Sequence, residues 1–242
     1  MNRRHFIRTT ATAAATFATI PMMAFNTQDF PSDILIGKGD PDLYGEGFSL
    51  QKEAYEAFVR MKHDAAKEGI SIKVVSSYRS YTHQNNIWER KYNRFTQQGL
   101  NPAQAIEKIV EYSTIPGTSR HHWGTDIDII DANGGENGDV LVAKKFHGNG
   151  PYCKLKEWMN TYAESFGFKL VYTDVANRKG FKYEPWHYSY APISIPMLKA
   201  YTKLDLKSML QKEKLMGSDH FTEEFISRYI AENILDINPA LL

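Results

Sequence analysis

Residues 119–130 read SRHHWGTDIDII, a stretch in which two adjacent histidines precede a regular alternation of aspartate and isoleucine. An alternation with a period of two is typical of a β-strand, so Asp126 and Asp128 are predicted on one face, with Ile127 and Ile129 on the other. Imidazole and carboxylate groups are also the donors that a catalytic zinc ion takes. This stretch is therefore the first candidate for a functional site.

A catalytic zinc site needs more groups than one histidine and one aspartate. It normally has three protein ligands, a fourth position filled by water, and a free carboxylate that takes the proton from that water. His121 and Asp128 are seven residues apart. Gly124 lies between them and allows a sharp backbone bend, so both side chains can converge on one ion.

The distant segment EPWHY, residues 184–188, supplies the missing groups. It contributes a carboxylate in Glu184 and an imidazole in His187, three residues apart. On an extended strand this spacing turns the two side chains to opposite faces. Pro185 favours a turn-like path instead, which can bring both groups into one cleft.

The composition indicates a folded protein of one domain. The chain has 242 residues, 42% of them hydrophobic, which is enough to enclose a substantial core. Its 14 Tyr and 13 Phe fit a hydrophobic body with polar-tipped residues around a groove. Cys153 is the only cysteine, so no intramolecular disulfide can form, and a buried structural role is predicted for it.

Residues 1–26 are predicted to be a twin-arginine-type export signal. Arg3 and Arg4 precede a mostly small, apolar run without acidic residues. Without this segment 26 basic side chains remain against 28 acidic ones, so nucleic acid is not an expected partner. An uncleaved membrane anchor is the alternative, but the run is short and Pro21 interrupts it. We expect export to the periplasm or cell envelope, with no stable membrane span in the mature form.

Hydrophobic periodicity and capping residues predict the other elements. Four helices are predicted, with starts and approximate ends at Ser49 to Gly69, Thr82 to Phe95, Asn101 to Tyr112, and Leu155 to Phe166. Besides the strand after Gly124, strands are predicted in SIKVVSSYRS, FKLVY and EPWHYSY. The chain is predicted to be helical again from about Pro196. Together these elements indicate one α+β domain over residues 27–195, with a helical C-terminal extension over residues 196–242 packed on the same domain.

Three segments in this order resemble a known family. The pattern SxHxxGxxxD is matched by Ser119, His121, Gly124 and Asp128, and EPWH follows at residues 184–187. Both resemble the zinc D-alanyl-D-alanine carboxypeptidases of the VanY type, which belong to the LAS group of peptidoglycan peptidases. The upstream SSYRSYTHQ is also similar to a segment of that family, and its matching residues are Ser77, Arg79, Ser80 and Gln84. The resemblance covers the middle of the chain and does not extend past about Pro196.

The resemblance implies a role for each matched residue. It implies a small antiparallel sheet flanked by helices, which holds Zn²⁺ on His121, Asp128 and His187. It also implies that Glu184 is the general base and acid. Arg79 is expected to contact the substrate carboxylate or the developing oxyanion, which suits the planar fork of donors in a guanidinium. The remaining expected substrate-binding residues are Ser119, Ser77, Gln84 and Trp186.

The residues leave two ligand positions open. His122 is the alternative to His121, and Asp126 lies on the same strand face as Asp128 and is the alternative to it. The motif spacing of the family favours His121 over His122 and Asp128 over Asp126.

We expect an exported zinc peptidase that trims the peptide stems of the bacterial cell wall, most simply by removing a C-terminal D-alanine. Within the family, an L,D-carboxypeptidase or a cross-link endopeptidase is the alternative. A non-catalytic peptidoglycan-binding protein is an alternative of another class, although mere binding does not need the carboxylate of Glu184. The helical extension is expected to act as a buttress or lid, with partner docking as the alternative.

Overall fold

The computed structural model describes residues 30–242, so the predicted export signal lies outside the described residues. The eight α-helices of this part are α1 (Ser32–Leu35), α2 (Lys52–Lys67), α3 (Tyr81–Gln97), α4 (Pro102–Ile109), α5 (Cys153–Tyr162), α6 (Ala191–Tyr201), α7 (Leu206–Lys212) and α8 (Glu223–Tyr229). Its four strands are β1 (Ile72–Ser76), β2 (Asp126–Asp131), β3 (Phe168–Leu170) and β4 (His187–Tyr190). They form one antiparallel sheet in the order β1-β2-β4-β3, which confirms the predicted α+β class.

The central strand β2 carries the alternating aspartates, and all six of its residues are buried. Its register pairs Asp128 with His187 of β4, and Asp126 with Ser189. On the other side of β2, Ser76 pairs with Asp128 after a register shift in β1 between Val74 and Ser76. Such a bulge re-aims the end of a strand, and here the chain leaving β1 passes beside Asp128.

Helix caps differ from the predictions at two places. Ser80, not Thr82, caps α3, because its hydroxyl accepts a hydrogen bond from the backbone N–H of His83 at 3.2 Å. Ser49 does not cap α2, which begins at Lys52. The neighbouring Leu50 instead forms a β-bridge with Tyr44, and the N–H of Gln51 donates to the carbonyl of the distant Gly124 at 2.8 Å, which keeps this part of the chain extended.

The third predicted helix begins as expected and ends early. Asn101 and Gln104 form a capping box at the start of α4. The helix ends at Ile109 instead of about Tyr112. Just past this end, the side-chain amide of Asn233 donates a hydrogen bond to the carbonyl of Val110 at 3.1 Å, so a distant residue satisfies a helix-end carbonyl.

Two hydrophobic clusters hold the fold together. One lies between the sheet and helices α2 and α5, and includes Phe58, Ile127 and Trp158. The other joins α3 and α4 to the C-terminal helices and includes Trp88 and Tyr229. The predicted C-terminal extension therefore shares a core with the central part of the chain.

Helix α6 runs across the predicted domain boundary. It begins at Ala191, about five residues earlier than predicted, with Pro192 in its first turn. Proline is tolerated there because the first N–H groups of a helix have no intrahelical partner. The predicted helical part beyond α6 contains α7 and α8, and α8 continues into a π-helical turn, Ile230–Ile234. Within residues 30–242, none of the helices is both long enough and apolar enough to cross a bilayer.

Helix α1 packs against the short 3-10 helix Arg120–Trp123, which contains the two histidines. The indole N–H of Trp123 donates to the carbonyl of Leu35 at 3.0 Å. Gly37, just after α1, has a positive φ of 75°, and a Cβ atom there would lie 2.3 Å from Nδ1 of His122. This close approach requires glycine.

We predict that Gly37→Ala destabilises the fold by more than Gly47→Ala does. Both glycines have nearly the same φ, 75° and 74°, but a Cβ at Gly47 meets nothing within 4 Å. The left-handed backbone costs about 1 kcal/mol in both variants, and the clash with His122 adds about 1–3 kcal/mol in Gly37→Ala alone. Denaturant unfolding measures the difference, and equal losses would show that the approach to His122 does not matter.

Candidate active site

His121, Asp128 and His187 lie together at the edge of a cleft. One donor atom from each lies within 4.8 Å of the others, and all three residues are buried. His121 Nε2 is 3.4 Å from Asp128 Oδ2, and His187 Nδ1 is 3.7 Å from Asp128 Oδ1. The segments 119–130 and 184–188 therefore meet in space, and their three donors can share one cation.

Each histidine is oriented by a hydrogen bond from its other ring nitrogen. Nδ1 of His121 is 2.7 Å from the carbonyl oxygen of Ser77, so the ring donates there and directs Nε2 at Asp128. Nε2 of His187 is 3.0 Å from Oδ1 of Asp126, which leaves Nδ1 facing Asp128. Partners of this kind fix the tautomer of a metal-binding histidine.

Asp126 belongs to a buried polar network that the sequence did not reveal. Besides His187, its carboxylate accepts hydrogen bonds from Arg120 Nε at 3.0 Å, Ser189 Oγ at 2.9 Å and Thr125 Oγ1 at 2.6 Å. Burial favours the protonated carboxyl, but Arg120 and His187 keep the pKa of Asp126 well below its usual range. Asp126 is therefore an anion that holds the far side of the His187 ring.

The chemistry of this donor set fits a cation. Oδ1 of Asp128 is buried and has no hydrogen-bond partner. Burial and the nearby carboxylates of Glu184 and Asp126 raise the pKa of Asp128 to about 6. Burial opposes protonation of His187, but Asp128, Asp126 and Glu184 together raise its pKa to about 10. An excess of negative charge thus surrounds the donors, and a bound divalent cation would offset it.

A tight turn brings Glu184 beside His187. The backbone N–H of His187 donates to the carbonyl of Glu184 at 3.1 Å, with Pro185 and Trp186 in between. Proline pre-sets the backbone for the second position of such a turn. Glu184 is 7% exposed, its Oε2 lies 3.1 Å from His187 Nδ1, and it is not one of the three donors. It is placed as a carboxylate next to the cation position.

Arg79 projects into the same cleft from the loop after β1. One end of its guanidinium donates to Gln84 Oε1 at 2.6 Å and the other to Ser76 Oγ at 2.9 Å. The amide nitrogen of Gln84 donates in turn to the carbonyl of Thr114 at 2.8 Å, and Gln84 is fully buried. Gln84 is thus bonded to Arg79 and Thr114 within the protein, and its direct binding of substrate stays a prediction.

The other residues predicted to bind substrate lie close to the site. Ser119 and Trp186 line the cleft. Ser77 accepts a hydrogen bond from the N–H of Ser49 at its hydroxyl, at 2.9 Å, and supports His121 through its carbonyl. Its predicted contact with substrate stays a prediction.

The structure shows how His122 and Asp126, the two alternative ligands that the sequence left open, lie relative to the three donors. His122 faces away from the three donors: its Nδ1 donates to the carbonyl of Arg79 at 2.5 Å, and its Nε2 accepts from the N–H of Gly117 at 3.2 Å. Burial lowers the pKa of His122 to about 4, so the ring is neutral. Gly124, with φ 65°, ends the short helix and turns the chain into β2. His121 and Asp128 therefore face each other, while Asp126 lies behind His187.

The cleft has a volume of about 710 Å³ and extends from the three donors along α3 and α4. Sequence reasoning missed several of its lining residues, among them Arg120, Tyr172 and Lys91. The ring of Tyr172 lies edge-on to His187 with centroids 5.1 Å apart. Arg120 occupies an unspecified position of the SxHxxGxxxD pattern, and Tyr172 and Lys91 lie outside the matched segments, so no motif marked them.

The chain is similar to known proteins in both sequence and fold. Residues 47–193 match the family described as VanY, D-alanyl-D-alanine carboxypeptidase. The chain is 31% identical to the D-alanyl-D-alanine carboxypeptidase of Enterococcus faecalis, over 62% of this chain and 52% of that enzyme. The chain thus spans about half the length of this relative.

Solved structures show the same fold. A mutant of the vancomycin-resistance D,D-pentapeptidase VanY in complex with Zn(II) matches with a TM-score of 0.51 and 24% identity, over 71% of this chain and 90% of that one. The LdcB LD-carboxypeptidase matches with a TM-score of 0.51 and 25% identity, over 74% and 82% of the two chains.

We predict that Asp126→Asn weakens zinc binding by about 10- to 100-fold, since the residue orients His187 without contacting the cation position. Competition with a chromophoric chelator measures the affinity. Asp131→Asn is the matched control, because Asp131 is a buried aspartate of the same strand that bonds instead to the N–H groups of Ser71 and Asn133. Unchanged affinity in a folded Asp126→Asn protein would contradict the orienting role.

Proposed function

The chain belongs to the VanY family of D-alanyl-D-alanine carboxypeptidases, and on this premise we propose that it is an exported zinc peptidase that removes the C-terminal D-alanine from peptidoglycan stem peptides. The observation that carries the proposal is the meeting of His121, Asp128 and His187 beside a carboxylate outside the donor set, Glu184. Family membership confirms the expected enzyme class.

His121, Asp128 and His187 would hold the zinc ion. Three protein donors of nitrogen and oxygen type are what a catalytic zinc site uses, with a further position left for water. When bound, zinc supplies a Lewis acid and lowers the pKa of that water. The Zn(II) complex of a related VanY protein supports zinc as the metal.

Glu184 would act as the general base and then as the general acid. Its carboxylate is buried beside the cation position, with Oε2 3.1 Å from His187 Nδ1, and it forms no ion pair with a lysine or arginine among the described residues. In the proposed reaction, a carboxylate oxygen of Glu184 takes a proton from the attacking water and returns it to the departing amine of D-alanine. A protein that only bound peptide would have no use for this proton transfer.

Arg79 would bind the negative charge of the substrate. Gln84 and Ser76 fix its guanidinium in the cleft that Asp128 and Glu184 also line. From there it can contact a terminal carboxylate or stabilise the oxygen of a tetrahedral intermediate. A fixed cation of this kind suits a carboxypeptidase, because its substrate ends in a free carboxylate next to the scissile bond.

The D,D-activity is favoured over the L,D-alternative by the family description and by the Enterococcus faecalis relative. The likeness to the LdcB LD-carboxypeptidase keeps L,D-cleavage as the second candidate. Both candidate activities have peptidoglycan stem peptides as substrates. These peptides lie outside the cytoplasm, which supports the predicted export.

We predict that the purified protein releases alanine from a peptide ending in D-Ala-D-Ala, that complete chelation abolishes this release, and that added Zn²⁺ restores it. A peptide ending in L-Ala-D-Ala, tested in parallel, distinguishes the L,D-alternative. Turnover that survives complete metal removal would contradict the zinc mechanism. Zinc and peptide binding without release of alanine from either peptide would favour the non-catalytic alternative.

We predict that Glu184→Gln lowers kcat by about 10²- to 10⁴-fold, the usual contribution of general acid–base catalysis, while the protein still binds one zinc ion. Glu111→Gln is the matched control, since Glu111 lines the same cleft but is paired with Lys108 and Lys182. It should retain turnover within a few-fold. Metal content measured beside kcat separates a lost base from a lost site, and normal turnover in Glu184→Gln would exclude the proposed base.

A further inference from the structure

The cleft continues beyond the three donors along one face of α3. Ile87, Lys91 and Arg94 follow each other at spacings of four and three residues and line the cleft. Gln84, which holds Arg79, lies on the same face. The helix therefore carries a row of cations away from the proposed reaction centre.

Lys91 and Arg94 have no acidic partner among the described residues. Two other basic residues near the cleft, Lys108 and Lys182, differ in this respect, because both contact the carboxylate of Glu111, at 2.9 and 3.0 Å. Arg94 lies over the ring of Phe95, which leaves its charge uncompensated by an anion. An unpaired cation facing a cleft is available to a ligand.

The position of Lys91 is unfavourable for an ammonium group without an anion. The residue is half-buried, and burial lowers its pKa, as do the nearby guanidinium groups of Arg94 and Arg79. Glu184 opposes this effect, but it lies at the proposed zinc site. A bound anion between Lys91 and Arg94 would relieve this repulsion.

The spacing along α3 indicates which anion fits. Lys91 and Arg94 lie about 10 and 15 Å along the helix axis from Gln84, at 1.5 Å per residue. These are spacings of the backbone, and the side chain of Lys91 itself reaches near the guanidinium of Arg79. An extended peptide advances about 3.3 Å per residue, so a substrate whose terminal carboxylate is bound at Arg79 can place a residue upstream of the scissile bond beside Lys91 and Arg94.

We propose that Lys91 and Arg94 form a second anion subsite, which binds a carboxylate on the amino-terminal side of the scissile bond. This inference rests on the proposed function and specifies its substrate class: stem peptides that keep a free carboxylate upstream of the terminal D-alanine, in preference to peptides in which that carboxylate is amidated.

The test compares three synthetic pentapeptides that end in D-Ala-D-Ala. The first has free upstream carboxylates, the second has these carboxylates amidated, and the third has only its C-terminus amidated. We expect kcat/KM to be roughly tenfold higher for the first than for the second, the size of effect given by one charge-assisted hydrogen bond. Lys91→Gln should remove this preference, and Arg94→Gln should reduce it.

Arg90→Gln is the matched control. It removes one positive charge from the same helix, but Arg90 is exposed and does not line the cleft. It should keep the roughly tenfold preference. If Arg90→Gln and Lys91→Gln lost the preference for the upstream carboxylate equally, the preference would come from the general positive charge of the helix. That result would overturn the subsite. The subsite would also be overturned if Lys91→Gln changed the response of kcat/KM to amidation of the C-terminus and left the response to amidation of the upstream carboxylates unchanged.

A binding measurement separates the subsite from the proposed activity. Calorimetry on zinc-loaded Glu184→Gln protein gives the affinity for each peptide without turnover. If the wild-type protein cleaves nothing but this variant prefers the carboxylate peptide through Lys91, the subsite stands and the peptidase function fails. If cleavage occurs with no preference for the upstream carboxylate, the function stands and the subsite fails. If none of the peptides binds, the subsite is overturned as well.

Discussion

The cross-strand pairing of Asp128 with His187 is the constraint on which the site depends. The two residues are direct neighbours in the β2–β4 ladder, and Ser76 of β1 flanks Asp128 on its other side. Because side chains alternate along a strand, a slip of one residue would turn Asp128 to the opposite face of the sheet. The isoleucines resist such a slip, since Ile127 and Ile129 fill the core behind β2. The apolar packing therefore sets the register that brings two distant motifs together.

Burying so many ionisable groups is unfavourable unless each finds a partner. Asp126 meets this requirement within the protein, through Arg120, Ser189 and the ring of His187. Asp128 does not, since one of its oxygens has no hydrogen-bond partner. The contrast separates a structural carboxylate from one suited to a cation. Asp126 instead orients the imidazole of His187 through a hydrogen bond.

The helical layer decides the shape of the cleft. The C-terminal helices pack into one core with α3 and α4, and the indole of Trp88 donates to the carbonyl of Met216 at 2.9 Å. The hydroxyl of Tyr229 accepts the N–H of Ile115 at 3.0 Å, which fixes the loop that leads to the 3-10 helix Arg120–Trp123. These contacts make the C-terminal helices part of the same core as the central part of the chain. They also hold α3 and α4, whose side chains line the cleft.

The sequence by itself determined the α+β class and the positions of most elements, and it marked the segments that carry the candidate donors, because donor types, turn residues and hydrophobic periods are local properties. It also suggested a turn at Pro185, which a hydrogen bond between Glu184 and His187 bears out. Only the tertiary structure decided that His121 rather than His122 faces Asp128, that Asp126 orients His187, and that Lys91 lines the cleft. The reason is that a side chain's partner depends on strands and helices far away in the sequence, and no local pattern records which of them will be its neighbour.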